Sequence, residues 1–180
     1  MSALVAVLAG GRGRRLGGAK PLAELAGAPL IARPLAAAAA AGLPAVVVTK
    51  PATALPALGV PVWEEPAEPV HPLLGIVTAL ERAGGPVVAV GCDMPFVTAE
   101  LLGRLAAGPE GAVRAGGRLA PLPARYEVAW LPALREALAA EAPLRATLEA
   151  LAPAAFELKG PPRVLDSVNS PEELAAAERA

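Results

Sequence analysis

SALVAVLAGG, residues Ser2 to Gly11, holds a short and almost wholly apolar segment, Ser2 to Leu8, that is ended by Gly10 and Gly11. A continuous run of this length, ended by glycine, reads as a strand buried on both faces. AVVVT (Ala45 to Thr49) and PVVAV (Pro86 to Val90) repeat the pattern, and Val60 to Trp63 is a shorter example. Helical stretches lie between and after them. Pro29 to Ala41 is stopped by Gly42 and Pro44, Leu73 to Ala83 by Gly84 and Gly85, and Thr98 to Ala107 has Thr98 as its N-cap. Pro34 suits only the first turn of its helix, which moves that start toward Arg33. Strand and helix therefore alternate as far as Ala107. This predicts an α/β fold with a parallel sheet covered on both faces.

The remainder is less regular. Gly111 to Ala115 and Leu122 to Val128 are expected as strands of an antiparallel addition. Leu131 to Ala140 and Leu144 to Leu151 read as helices, and Ala155 to Leu158 and Arg163 to Asp166 as further short strands. Pro171 to Arg179 is a closing helix, with Ser170 at the N-cap and Glu172 and Glu173 in its first turn. No repeat or linker divides the chain, so one domain over residues 1–180 is expected.

Composition narrows the function. Sixteen basic residues stand against 17 acidic ones, a formal net charge of −1, which lacks the basic excess of a general nucleic-acid binder. With 54% hydrophobic residues the chain is no disordered tail, and with 3% aromatic residues its core must be aliphatic. Cys92 is the single cysteine and His71 the single histidine, so an internal disulfide and a multi-ligand His/Cys zinc site are both excluded. Cys92 reads as a small hydrophobe, His71 as a loop residue, and Trp63 and Trp130 as packing residues. The first apolar run is too short to span a bilayer, and its arginines follow it rather than precede it, so a cytoplasmic protein without a membrane partner is expected.

The chemistry starts where the first strand ends. LAGGRGRRLGGAK, Leu8 to Lys20, holds five glycines, three arginines and a lysine. Such a loop lets backbone N–H groups approach an anion closely. Arg15 and Lys20 can balance the charge of a triphosphate. Two known phosphate fingerprints fail: Gly18 is followed by Ala19 and Lys20 by Pro21, against the P-loop, and Leu16 stands where the third glycine of G-x-G-x-x-G belongs. The alternative is a solvated arginine loop. Asp93 follows PVVAVGC, at the carboxyl end of a parallel strand where ligands of such sheets bind. A carboxylate there can hold Mg²⁺ beside substrate phosphates, or simply cap the next turn.

Together these segments resemble a known family. LAGG (Leu8 to Gly11) followed by RLGGAK (Arg15 to Lys20) is similar to the signature loop of the sugar-nucleotide-pyrophosphorylase-like nucleotidyltransferases, and GCDMPFV (Gly91 to Val97) to their metal-binding segment. Within that superfamily the chain resembles the molybdenum cofactor guanylyltransferases. ELAGAPL (Glu24 to Leu30), HPLLG (His71 to Gly75), GRLAPL (Gly117 to Leu122) and VNSPEEL (Val168 to Leu174) match in the same order. The resemblance implies a three-layer α/β/α Rossmann-like fold with a mostly parallel mixed sheet. It implies transfer of GMP from Mg-GTP to the terminal phosphate of molybdopterin. The partners implied are GTP, molybdopterin, and proteins that make or accept the molybdenum cofactor. By position, Leu8, Ala9, Gly10 and Gly11 would contact nucleotide, Lys20 and Arg15 the phosphates, and Thr49 and Glu65 the nucleotide again. Asp93 would bind Mg²⁺ and nucleotide, and Asn169 would be a second metal ligand.

The chain departs from the family pattern at several of these positions. Thr49 stands in place of Asn, Glu65 in place of Asp, His71 in place of Gly, and Ser167 in place of Asn or Asp; the loop before Lys20 is one residue short, with Ala19 where Asp is common. A threonine lacks the paired donor and acceptor of an amide, so these changes bear on base choice more than on fold. Two other readings stay open at this stage. One is a related enzyme using CTP or UTP with a cofactor or sugar-phosphate acceptor. The other is a non-catalytic protein that carries nucleotide or cofactor.

Overall fold

The computed structural model describes residues 3–11, 20–51, 53–158 and 162–179. In chain order the elements are β1 (Leu4–Leu8), β2 (Glu24–Leu25), β3 (Ala28–Pro29), α1 (Ala32–Ala40), β4 (Ala45–Thr49), β5 (Val62–Glu64), α2 (Pro72–Ala83), β6 (Val87–Gly91), α3 (Ala99–Ala107), β7 (Ala112–Ala115), β8 (Arg118–Ala120), β9 (Ala124–Tyr126), α4 (Leu131–Ala139), α5 (Leu144–Leu151), β10 (Ala155–Glu157) and α6 (Pro171–Glu178). The main sheet runs β5–β4–β1–β6–β9. Its first four strands are parallel, and β9 lies antiparallel to β6.

The continuous apolar runs are explained by two buried faces. Val5, Val7, Val47, Val88 and Val90 face one core with Ile31, Ala38 of α1 and Leu101, Leu102 and Leu105 of α3. Ala6, Val46, Val48, Val87 and Ala89 face the other, with Leu73, Ile76 and Leu80 of α2, Leu134 of α4 and Leu148 of α5. The result is a three-layer α/β/α fold with a mostly parallel mixed sheet. Each buried Val, Leu or Ile contributes about 1.5–3 kcal/mol, so the helices are held by this packing more than by their own propensity. The register sets Leu8 level with both Val48 and Gly91, and Thr49 level with Glu64. The segments that leave β1, β4, β5 and β6 therefore emerge along one edge.

Several boundaries differ from expectation. Helix α1 begins at Ala32 and places Pro34 in its first turn, where the missing N–H costs nothing. Leu122 to Val128 contracts to β9 and a 3₁₀ turn, Val128–Trp130. Strand β7 does not extend the main sheet: it pairs with β10 in parallel and with β8 in antiparallel fashion, forming a second sheet of three strands. Arg163 to Asp166 is not a strand, because Pro162–Leu165 forms a 3₁₀ turn. Pro162, which opens that turn, has no N–H to give to a strand ladder. Among the described residues, no helix is long and apolar enough to cross a membrane.

Candidate active site

A cleft of about 270 Å³ opens where β1, β4, β5 and β6 end, lined by Leu8, Gly10, Gly11, Lys20, Glu65, His71 and Asp93 among others. Asp93 occupies the turn after β6, closed by Met94 N–H donating to Gly91 O at 3.2 Å. A Cβ at position 91 would fall 2.2 Å from Asp93 Oδ1, so only glycine lets the carboxylate fold back over its own strand. Lys20 Nζ donates to Asp93 Oδ2 at 2.5 Å and to Asn169 Oδ1 at 2.6 Å. One ammonium thus joins residues from opposite ends of the chain.

Local structure explains how Asn169 arrives there. Val168 is buried against Leu25 and Leu30, and its N–H donates to Asp93 O at 2.8 Å. Helix α6 starts immediately after: Ser170 Oγ accepts from Glu173 N–H at 3.2 Å, and Glu173 Oε2 accepts from Asn169 N–H at 2.5 Å. This reciprocal cap fixes the Asn169 backbone. Asn169 Nδ2 donates to Ser167 Oγ at 2.7 Å, which orients the amide oxygen toward Lys20.

A second lysine–carboxylate pair lies on the other side of β1, where β4 and β5 end. Lys50 Nζ lies 3.1 Å from Glu65 Oε1 and donates to the carbonyls of Pro66 at 2.6 Å and Pro69 at 3.0 Å. Glu65 is 4% exposed, and its Oε2 has no hydrogen-bond partner among the described residues. Burial raises its pKa above the ordinary carboxylate value, against the opposing hydrogen bond and charge of Lys50. A Cβ at position 10 would lie 2.0 Å from Glu65 Oε1, so Gly10 admits this longer acid beside the end of β1.

The remaining sequence candidates fall as follows. Ala9 and Thr49 are buried beneath the cleft: Ala9 N–H donates to Val48 O at 2.8 Å, and Thr49 Oγ1 has no partner among the described residues. Arg15 lies outside the described residues. His71 proves to be the N-cap of α2, its Nδ1 accepting from Leu73 N–H at 3.2 Å. Cys92 is buried, and burial together with the Asp93 charge pushes its thiol up to about 12. Trp63 packs beneath the Arg82 guanidinium and Trp130 lies edge-on to Tyr126. Lys50 was not singled out by sequence. Its signal was a lone lysine directly after a buried strand, but its partner becomes visible only once β4 pairs with β5.

Comparisons with known proteins show the family and the fold. The model of the MobA-like NTP transferase domain matches residues 5–155. A molybdenum cofactor guanylyltransferase from Rhodobacter capsulatus is 35% identical over 178 residues, covering 96% of this chain and 93% of its own length. Another from Pseudomonas putida is 35% identical over 184 residues, covering 94% of each. Among solved structures, molybdopterin-guanine dinucleotide biosynthesis protein A from Archaeoglobus fulgidus superposes with a TM-score of 0.77 at 25% identity, covering 98% of this chain and 97% of that one. A 2-C-methyl-D-erythritol 4-phosphate cytidylyltransferase from Thermus thermophilus shares the fold, with a TM-score of 0.70 at 21% identity, covering 99% and 98% of the two chains. Fold, strand-end site and relatives converge: this chain is a nucleotidyltransferase and belongs to the MobA-like NTP transferase family.

Proposed function

We propose that the chain transfers GMP from Mg-GTP to the terminal phosphate of molybdopterin, forming molybdopterin guanine dinucleotide and pyrophosphate. The observation that carries this reading is the convergence of Lys20, Asp93 and Asn169 at the mouth of the strand-end cleft. The names of the two relatives matched along nearly their whole length support the choice of substrates. Glu65 borders the cleft with one unpartnered carboxylate oxygen, an acceptor suited to the 2-amino edge of guanine.

The donor set fits Mg²⁺. Asp93 Oδ2 and Asn169 Oδ1 are hard oxygens that already converge on one cationic group, the Lys20 ammonium. Among the described residues no group of three or more His, Cys, Asp or Glu is gathered, and Mg²⁺ ordinarily takes one or two carboxylates, with water and phosphate completing its shell. Bound there, the ion would neutralise charge on the nucleotide phosphates. The acceptor phosphate oxygen is ionised near neutral pH, so no general base is needed. The chain's own work is binding and orientation. Gly10 and Gly11 bring backbone close to the nucleotide, Lys20 and Arg15 balance the phosphate charge, and the α6 cap holds Asn169 in place.

The test is pyrophosphate release from GTP with molybdopterin as acceptor. Release that requires both substrates and Mg²⁺ supports the reading. Binding of GTP and molybdopterin without release would contradict it and favour a carrier.

A further inference from the structure

A second cavity, of about 400 Å³, shares Asp93 and Leu122 with the nucleotide cleft. Arg118 of β8, Arg145 of the first turn of α5, and Ser167 also line it, with apolar wall from Leu119 and Leu165. Other arginines near the small sheet are already engaged. Arg114 donates to Gly117 O and faces Glu157, Arg125 pairs with Glu127 and donates to Ala106 O, and Arg104 pairs with Glu110. The side chains of Arg118 and Arg145 have no hydrogen bond or ion pair among the described residues. Two guanidinium groups without counter-charge, in one cavity with an apolar wall, suit an anion attached to an organic body. The planar fork of arginine matches phosphate oxygens in pairs.

We propose that this second cavity is the acceptor subsite, in which Arg118 and Arg145 hold the phosphate monoester that attacks the nucleotide. The inference rests on the nucleotidyltransferase reading and adds where the second substrate sits. Two cavities that meet at one carboxylate are what a two-substrate transfer needs. The nucleotide's α-phosphorus would lie near Asp93, and the monoester oxygen would reach it from the arginine side. That oxygen forms the new bond to the α-phosphorus with its own electron pair. The bond from the α-phosphorus to its bridging oxygen breaks, and pyrophosphate leaves with that electron pair. The apolar wall takes the body of the acceptor.

Calorimetric titration with phenyl phosphate, in the presence of Mg²⁺ and α,β-methylene-GTP, which cannot transfer its nucleotidyl group, tests this directly. The wild-type chain should bind the probe. Arg118→Ala and Arg145→Ala should each weaken that binding about tenfold, the loss of one charge-assisted contact. Affinity for Mg-GTP should not change. In turnover, the same variants should raise KM for molybdopterin far more than they lower kcat, and Arg→Lys at either position should recover part of the loss. The proposal is overturned if the wild type does not bind phenyl phosphate, or if the variants bind it as tightly as wild type. It is also overturned if they lose Mg-GTP affinity instead, because the arginines would then hold the nucleotide's own phosphate tail. Failure of the guanylyl-transfer reading would look different: wild type would bind phenyl phosphate with the arginine dependence intact, yet release no pyrophosphate from GTP and molybdopterin.

Discussion

The two lysine–carboxylate pairs at the strand ends are built differently. In the first, Lys20 and Asp93 are both 17% exposed, and the ammonium's other partner is a side chain, Asn169. In the second, Lys50 is 13% and Glu65 4% exposed, and the ammonium is tied to two backbone carbonyls of the loop that follows β5. A contact made only between side chains at a cleft mouth can be exchanged for a ligand at small cost. One that anchors a loop cannot move without moving the loop. Under the proposed function the first pair would be an exchangeable site, in which the ammonium holds two oxygens until a metal–nucleotide complex arrives and Lys20 turns to its phosphates. The second is a fixed strut between β4 and the loop that follows β5, and under the same reading it would stand beside the nucleotide.

The most severe way to break the contrast is Asp93→Ala. It should lower pyrophosphate release by roughly 10³-fold while thermal unfolding stays cooperative and within about 1 kcal/mol of wild type. A variant that retains most activity would remove Asp93 from the proposed site. Next in size is Lys20→Ala. Nucleotide affinity should fall about ten- to a hundredfold, since a charged hydrogen bond contributes about 1.5–3 kcal/mol. Its affinity for Mn²⁺ alone, followed by electron paramagnetic resonance, should rise instead, because the ammonium no longer occupies Asp93 and Asn169. Parallel loss of both affinities would show that Lys20 is structural. The smallest effect sharpens the second pair. The pKa of Glu65 in the folded chain lies above its ordinary value of 4.5, so folding favours its protonated form. That contribution is fully present below 4.5 and is lost as pH rises through the raised value. Glu65→Gln should therefore gain stability relative to wild type as pH climbs through this window. Parallel pH profiles for the two proteins would mean that burial does not burden Glu65.

Much of the frame was legible because parallel strands buried on both faces leave uninterrupted apolar runs. Ser2 to Leu8, Ala45 to Thr49 and Pro86 to Val90 fell close to β1, β4 and β6 for that reason. Caps were legible too, since Thr98 and Ser170 accept from the N–H groups three residues on. The small sheet was not. Three residues of β8 between Gly117 and Pro121 carry no periodicity, and the pairing of β7 with β10 joins segments more than forty residues apart. Lys20 and Asp93 stood out, one within a glycine-rich loop and the other just past a strand, whereas Glu65 was singled out only by family resemblance. Asn169 entered in the same way, because no local pattern indicates that a residue 149 positions from Lys20 will meet its ammonium. Arg145 gave no signal either: on its own helix it reads as an ordinary exposed residue, and only the cavity beside Asp93 distinguishes it.

Under the proposed function, the strand-end cleft selects a guanine nucleotide through a metal-dependent site at Asp93. Calorimetric titration of the chain with GTP, CTP, UTP and ATP, each with Mg²⁺, tests it most directly when repeated on Asp93→Ala. The wild type should show a clear preference for GTP, and the variant should lose that binding. A preference for CTP or UTP, or GTP binding that survives without Asp93, would contradict it.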